Sequence, residues 1–115
     1  MTNVKKIIKK PWGSESIWAL TKDYVGKVLF INKGHRLSRQ YHEKKEETIL
    51  VQSGVLHLEI GKENVEYLEL DPGQSYHIKP NTIHRFCARD TNVILIEVST
   101  PYLHDVVRIE DDYNR

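Results

Sequence analysis

Two short stretches of this chain carry side chains able to hold a metal ion. In the first, between Gly34 and Gly54, Gln40 and His42 stand two residues apart. A strand there points both side chains to one face. Glu47 follows a charged bend, Glu43, Lys44, Lys45 and Glu46, at the head of the next strand. In the second stretch, between Gly73 and Ala88, His84 comes just after a Pro80-Asn81 turn. Asparagine is one of the few non-glycine residues that accept left-handed backbone geometry. An amide oxygen, two imidazoles and a carboxylate form a borderline-to-hard donor set. Such a set suits Zn first, and also Mn, Fe(II), Co or Ni, and it lacks the thiolates of a closed structural zinc site. Four protein ligands leave room on the ion for water or substrate oxygens. Taken singly, each residue has a plainer reading: Glu47 adjoins a run of charges, which is ordinarily a solvated face, and either histidine fits a surface strand. The joint spacing carries the expectation of one divalent metal ion bound by Gln40, His42, Glu47 and His84.

The elements that must position these groups read as strands. Residues 25–31, 48–52, 55–60, 65–70, 75–78, 85–88 and 93–99 are rich in β-branched and aromatic residues or alternate in polarity. Over 55–60 the alternation puts Leu56, Leu58 and Ile60 on one face and Val55, His57 and Glu59 on the other, the strand period. Ser53-Gly54, a polar turn over 61–64, and Asp71-Pro72-Gly73 punctuate the runs. Turn signals about every ten residues predict an all-β sandwich or barrel. The only place left for a helical period is after Pro101. One domain is expected over 1–115, with an N-terminal edge segment over 1–20 and a tail over 100–115.

Composition narrows the function classes. The chain has 115 residues, with Lys plus Arg 17 and Asp plus Glu 16, a formal charge of +1. That balance gives no global attraction to nucleic acid or membrane. Lys5, Lys6, Lys9 and Lys10 around Ile7-Ile8 make a weak patch, better read as a solvated edge strand that adds to a neighbour's sheet in a two-fold homodimer. The single cysteine, Cys87, excludes an internal disulfide and reads as a small buried hydrophobe in a reducing compartment. No stretch is long and apolar enough for a membrane span, and no signal peptide is visible, so a soluble, cytoplasmic protein is expected. No nucleotide-binding loop or nucleophile elbow is present, which removes kinases and serine hydrolases.

The two clusters read Gly34-x5-Gln40-x-His42-x4-Glu47-x6-Gly54 and Gly73-x5-Lys79-x-Asn81-x2-His84-x3-Ala88. They resemble the two motifs of the cupins, Gly-x5-His-x-His-x4-Glu-x6-Gly and Gly-x5-Pro-x-Gly-x2-His-x3-Asn, and imply a jelly-roll barrel, or double-stranded β-helix. Gln40 stands for the first histidine, Lys79 for proline, Asn81 for glycine and Ala88 for asparagine. Gln-x-His also looks like the metal-binding pair of phosphomannose isomerases. Lys10-Pro11-Trp12-Gly13, the run from Leu37 through His42, Ile83-His84-Arg85, Ile96-Glu97-Val98-Ser99 and the tail from Asp105 to Arg115 look like the cupin domain of type II mannose-6-phosphate isomerases, standing alone. The chain departs from that family in having Glu43 and Lys44 where the family has histidines, and Tyr113-Asn114-Arg115 for Tyr-Gly-Arg. Lys45 takes the place of an arginine.

The resemblance implies metal-dependent aldose–ketose isomerisation of a phosphorylated or nucleotide-linked sugar through an enediol. Lys45 and His77 are the candidates for moving the proton. Lys44, Lys79, Arg85 and Arg108 are the candidates for holding the anionic substrate, although strand alternation turns Arg85 away from His84. Arg115 either pairs with the acidic tail or closes over a phosphate. Trp12 and Trp18 suit a core or a dimer contact better than a sugar-stacking role. The rival readings are a non-catalytic sugar or nucleotide-sugar binding module, and another cupin enzyme such as a dioxygenase or lyase.

Overall fold

The computed structural model describes residues 6–115. The described residues form eleven strands: β1 (Lys6–Lys10), β2 (Gly13–Leu20), β3 (Val25–Ile31), β4 (Arg39–Tyr41), β5 (Glu47–Ser53), β6 (Leu56–Ile60), β7 (Glu66–Leu70), β8 (Ser75–Ile78), β9 (His84–Cys87), β10 (Val93–Ser99) and β11 (Val107–Glu110). Six make one sheet in the order β1-β2-β3-β10-β5-β8, and five make the other, β11-β4-β9-β6-β7. Every named pairing is antiparallel. The chain crosses from sheet to sheet after β3, β4, β5, β7, β8, β9 and β10, so the two layers wind together into the expected jelly-roll barrel.

The register explains why the barrel has one apolar and one polar end. On the inner face of the larger sheet, Leu29 pairs with Leu95, and Leu95 with Val51. With Ile31, Ile49 and Val93 these side chains are almost fully buried, and Leu56, Leu58 and Phe86 face them from the smaller sheet. Two residues along the same strands the inward positions turn polar. Lys27 pairs with Glu97, and Ser99 with Glu47. Opposite them, Gln40 pairs with His84. One half of the interior is thus a hydrophobic core, and the other half gathers the ligand candidates.

Several expectations change. Residues 13–20 form a full strand. The helix after Pro101 is absent; the tail instead supplies β11, which pairs with β4. The N-terminal strand exists, but it completes its own chain's sheet beside β2; the flanking Lys5 lies outside the described residues. His57 is largely covered and sits 3.7 Å from Glu69, and Glu59, two residues on, is buried against Arg39 and Cys87. Trp12 is buried in the core, whereas Trp18 stays 48 % exposed, its indole lying over Gly26, where any Cβ would meet the ring at 2.6 Å. Asn81 has the anticipated left-handed backbone, φ 64°.

The centre of the apolar half should be intolerant of truncation. Leu95→Ala is expected to destabilise the fold by about 2–5 kcal/mol, seen as a lower urea midpoint at unchanged slope. A loss below about 1 kcal/mol would show that the barrel centre is loosely packed.

Candidate metal centre

His42, Glu47 and His84 converge inside the polar half of the barrel. They are buried, and one ligand atom from each lies within 4.8 Å of the others. His42 Nε2 is 3.4 Å from Glu47 Oε2, and His84 Nε2 is 4.0 Å from Glu47 Oε1. The outer nitrogen of each imidazole is already used: Nδ1 of His42 donates to the Asp105 carbonyl and Nδ1 of His84 to the Thr82 carbonyl. That tautomer leaves both Nε2 atoms as acceptors, and neither has a hydrogen-bond partner. Three acceptors facing one another with no proton between them repel. A cation in their midst removes the conflict, and imidazoles whose far nitrogens donate to carbonyls are oriented as metal ligands are. The donor set therefore fits a divalent ion.

Local backbone geometry delivers these atoms. The left-handed turn at Asn81 sends its own N–H to the His42 carbonyl, tying the His84 strand to the His42 strand. Gln40, cross-strand from His84, lines the same cavity, and its Oε1 accepts a bond from Ser38 Oγ at 2.6 Å.

A cavity of about 260 Å³ is lined by Gln40, His42 and Glu47 among the ligand candidates. Its charged lining was only partly foreseen. Lys45 is buried with Nζ 3.0 Å from Glu47 and 3.1 Å from Glu97. Desolvation works against its charge, but the Glu97 and Glu47 carboxylates outweigh that and hold the ammonium firmly protonated. The same two ion pairs occupy the Nζ that the base role anticipated for Lys45 would use. Burial pushes Glu47 up, but facing His42, Lys45 and His84 prevail and hold its carboxyl well below the usual range. For Glu97, burial and then the Glu47 charge prevail, raising its carboxyl. Arg108 reaches the cavity rim, cross-strand from Gln40 on β11.

The other candidates lie elsewhere. His77 is on the outer side of β8, half exposed and paired with Glu46, outside the cavity. Lys44 and Lys79 are exposed and line no part of it. Arg85 is only 1 % exposed, yet it points away from His84 beneath the tail, its Nε donating to the Leu37 carbonyl at 2.8 Å and its Nη2 to Asp112 at 3.2 Å. Arg115, by contrast, lines the cavity while paired with Asp111. Glu97 and Lys27 escaped notice as site residues, although a charge at an inward position of an otherwise apolar strand, Val93, Leu95, Glu97, is a signal the alternation contains.

The sequence model of the family described as "Mannose-6-phosphate isomerase C-terminal" matches residues 1–111. No curated protein matches the chain. Among solved structures, the chain is similar to the capsular polysaccharide assembling protein CapF from Staphylococcus aureus, at 17 % identity and TM-score 0.82, over 93 % of this chain and 34 % of that one. It thus spans about a third of CapF. It is also similar to KdgF from Halomonas sp., at 20 % identity and TM-score 0.74, over 86 % of this chain and 88 % of that one, and to an RmlC-like cupin from Shewanella frigidimarina, at 17 % identity and TM-score 0.74, over 87 % and 86 %. At these identities the likeness shows the fold, a cupin barrel.

Two outcomes test the centre. Replacing His42 and His84 together by alanine should abolish metal binding and the metal-dependent rise in melting temperature; a doubly substituted protein that keeps one equivalent of metal places the site elsewhere. The second outcome concerns pH. Burial, above all, depresses the His84 imidazole below its ordinary 6.5, so the unfolded chain takes up that proton first. Stability from this group is full above pH 6.5 and lost as pH falls below it. Glu47 adds to the trend below its ordinary 4.5, while Glu97, raised, works the opposite way. The metal-free protein should melt lower at about pH 5.5 than at about pH 7, and His84→Gln should flatten that slope. An unchanged slope in the variant refutes the assignment.

Proposed function

The chain belongs to the mannose-6-phosphate isomerase C-terminal family, and from that we propose that it is a metal-dependent sugar-phosphate isomerase, interconverting mannose 6-phosphate and fructose 6-phosphate through an enediol. One observation carries the reading. Unpartnered atoms of His42 and Glu47, the buried carboxylate of Glu97 and an arginine, Arg108, with no ion-pair partner among the described residues all line one cavity. Gln40, His42, Glu47 and His84 would hold the ion, zinc first among Mn, Fe, Co and Ni. When bound, the ion supplies Lewis-acid polarisation of the sugar carbonyl and its neighbouring hydroxyl.

The chain's own groups do the rest. Glu97, in place of Lys45 and His77, takes the proton from C2 of the aldose and returns it to C1, while the O2 proton passes to O1. A carboxyl lifted by burial is closer to the operating pH than an ordinary one, which favours proton transfer. Lys45 stays charged and balances the carboxylates on either side of it. Arg108 holds the phosphate at the rim, where a planar guanidinium suits a phosphate. We place the protein in the cytoplasm as a homodimer. The outer face of the larger sheet carries a registered row, Ile7, Ser16, Val28, Ile96 and Leu50, that is apolar apart from one serine, and such a face calls for a cover.

A second reading, a non-catalytic sugar or nucleotide-sugar binding module, is favoured by one observation: His77 lies outside the cavity, and the Lys45 ammonium is engaged by Glu47 and Glu97. CapF, whose barrel this chain resembles, is named for capsular polysaccharide assembly, which keeps nucleotide-linked sugars among the ligands to try.

Calorimetry of the metal-loaded protein with mannose 6-phosphate, fructose 6-phosphate and GDP-mannose, followed by an isomerase assay, separates the readings. Binding that weakens with salt, with turnover, is expected; silence with all three ligands ends both readings, and binding without turnover selects the module. Glu97→Gln should lower turnover about 100-fold or more with metal content and sugar-phosphate affinity retained. Full turnover in that variant removes Glu97 from the chemistry.

A further inference from the structure

Segment 100–106 joins β10 to β11 and forms one wall of the cavity through Tyr102, Leu103, His104, Asp105 and Val106. It also touches the bend between His42 and Glu47 in an unusually complete way. Asp105 Oδ1 accepts the N–H of Glu43 at 3.1 Å, and Oδ2 accepts those of Lys44 at 2.7 Å and Lys45 at 2.9 Å. The Glu46 N–H donates to Thr100 Oγ1 at 2.9 Å, and the Thr100 N–H returns a bond to the Glu46 carbonyl at 3.0 Å. Every backbone N–H from 43 to 46 is therefore held by this one segment. The same Asp105, through its carbonyl, accepts from His42 Nδ1, which fixes the tautomer that presents Nε2 inward.

We infer that Asp105 is the positioning residue of the metal centre, holding the bend that spaces His42 from Glu47 and orienting His42, and that it joins the centre mechanically to the cavity wall. The inference rests on the metal-centre reading above. Its physical content is that one short side chain does for the bend what a helix cap does for a helix end: it satisfies consecutive N–H groups that no strand partner reaches. Partners outside the ligand shell that orient the ligands commonly change metal affinity by about 10–100-fold when removed. Because the segment is also the wall against which a sugar would pack, occupancy of the cavity and of the metal site bias the same element. Each should then tighten the other by an equal factor.

The test uses the full chain with cobalt(II) as the probe. D105A removes the carboxylate, and D105N keeps the shape but replaces one acceptor oxygen by an amide nitrogen that cannot accept an N–H bond. Expected are cobalt affinities weaker by about 10–100-fold, a changed visible spectrum of the bound ion, and faster amide exchange at residues 43–45 in the metal-free protein. Should D105A fail to fold, D105N decides. Variants that exchange faster or melt lower, yet bind cobalt with wild-type affinity and spectrum, overturn the positioning role and leave Asp105 a structural residue. Wild-type protein that takes up no cobalt overturns the metal centre itself and this inference with it.

Discussion

The polar half of the barrel depends on charges that water cannot reach and that must therefore balance one another inside. Lys45 lies between Glu47 and Glu97, Lys27 is cross-strand from Glu97 and 3.6 Å from Glu15. Buried charge is tolerated only when paired. This chain alternates the signs along a path from β2 to the ligand cluster. The row ends on the Glu47 carboxylate, which faces both imidazole Nε2 atoms. A divalent cation there completes the series, so the metal centre is better seen as the terminus of a buried ionic row than as an isolated pocket.

A second ionic network occupies the other side of the smaller sheet and serves a different end. Arg39 bonds Glu59 at 2.6 Å and Glu110 at 3.1 Å, Arg85 reaches Asp112, and Arg36 holds Asp112 in two bonds, 2.7 and 3.0 Å. These bonds fasten the C-terminal tail over β4 and β9, which is why β9 is buried on both faces. Cys87 is sealed in the same layer, its thiol pushed up to about 12 by burial first and then by Glu59, so it is inert rather than reactive. The tail thus has two duties on opposite faces of one sheet: locking the outer face through its carboxylates, and delivering Arg108 to the cavity rim.

The strands over 25–31, 75–78 and 93–99 were legible to the residue because alternation and turn residues act locally. So was the convergence of His42, Glu47 and His84, whose spacing is set by strand geometry. What stayed hidden depends on packing between distant segments. Arg85 reads as an outward residue, and outward it points, but nothing in its own strand announces that the tail covers it. His77 sits one strand position before a core residue, Ile78, and alternation alone puts it outside, so its candidacy as a base weighed residue type over direction. The carboxylate of Asp105, sixty residues from Lys45, is tied to it by a contact that only the finished fold contains.

The two tryptophans have opposite addresses. Trp12 is buried and forms part of the cavity wall; Trp18 lies flat on the outside of the larger sheet, over the bare backbone of Gly26. The chain therefore carries two built-in optical probes: a blue-shifted emitter that senses what enters the barrel, and a half-exposed emitter, open to soluble quenchers, that senses what docks on the sheet. Events inside the barrel and events on its surface are spectrally separable without adding a label.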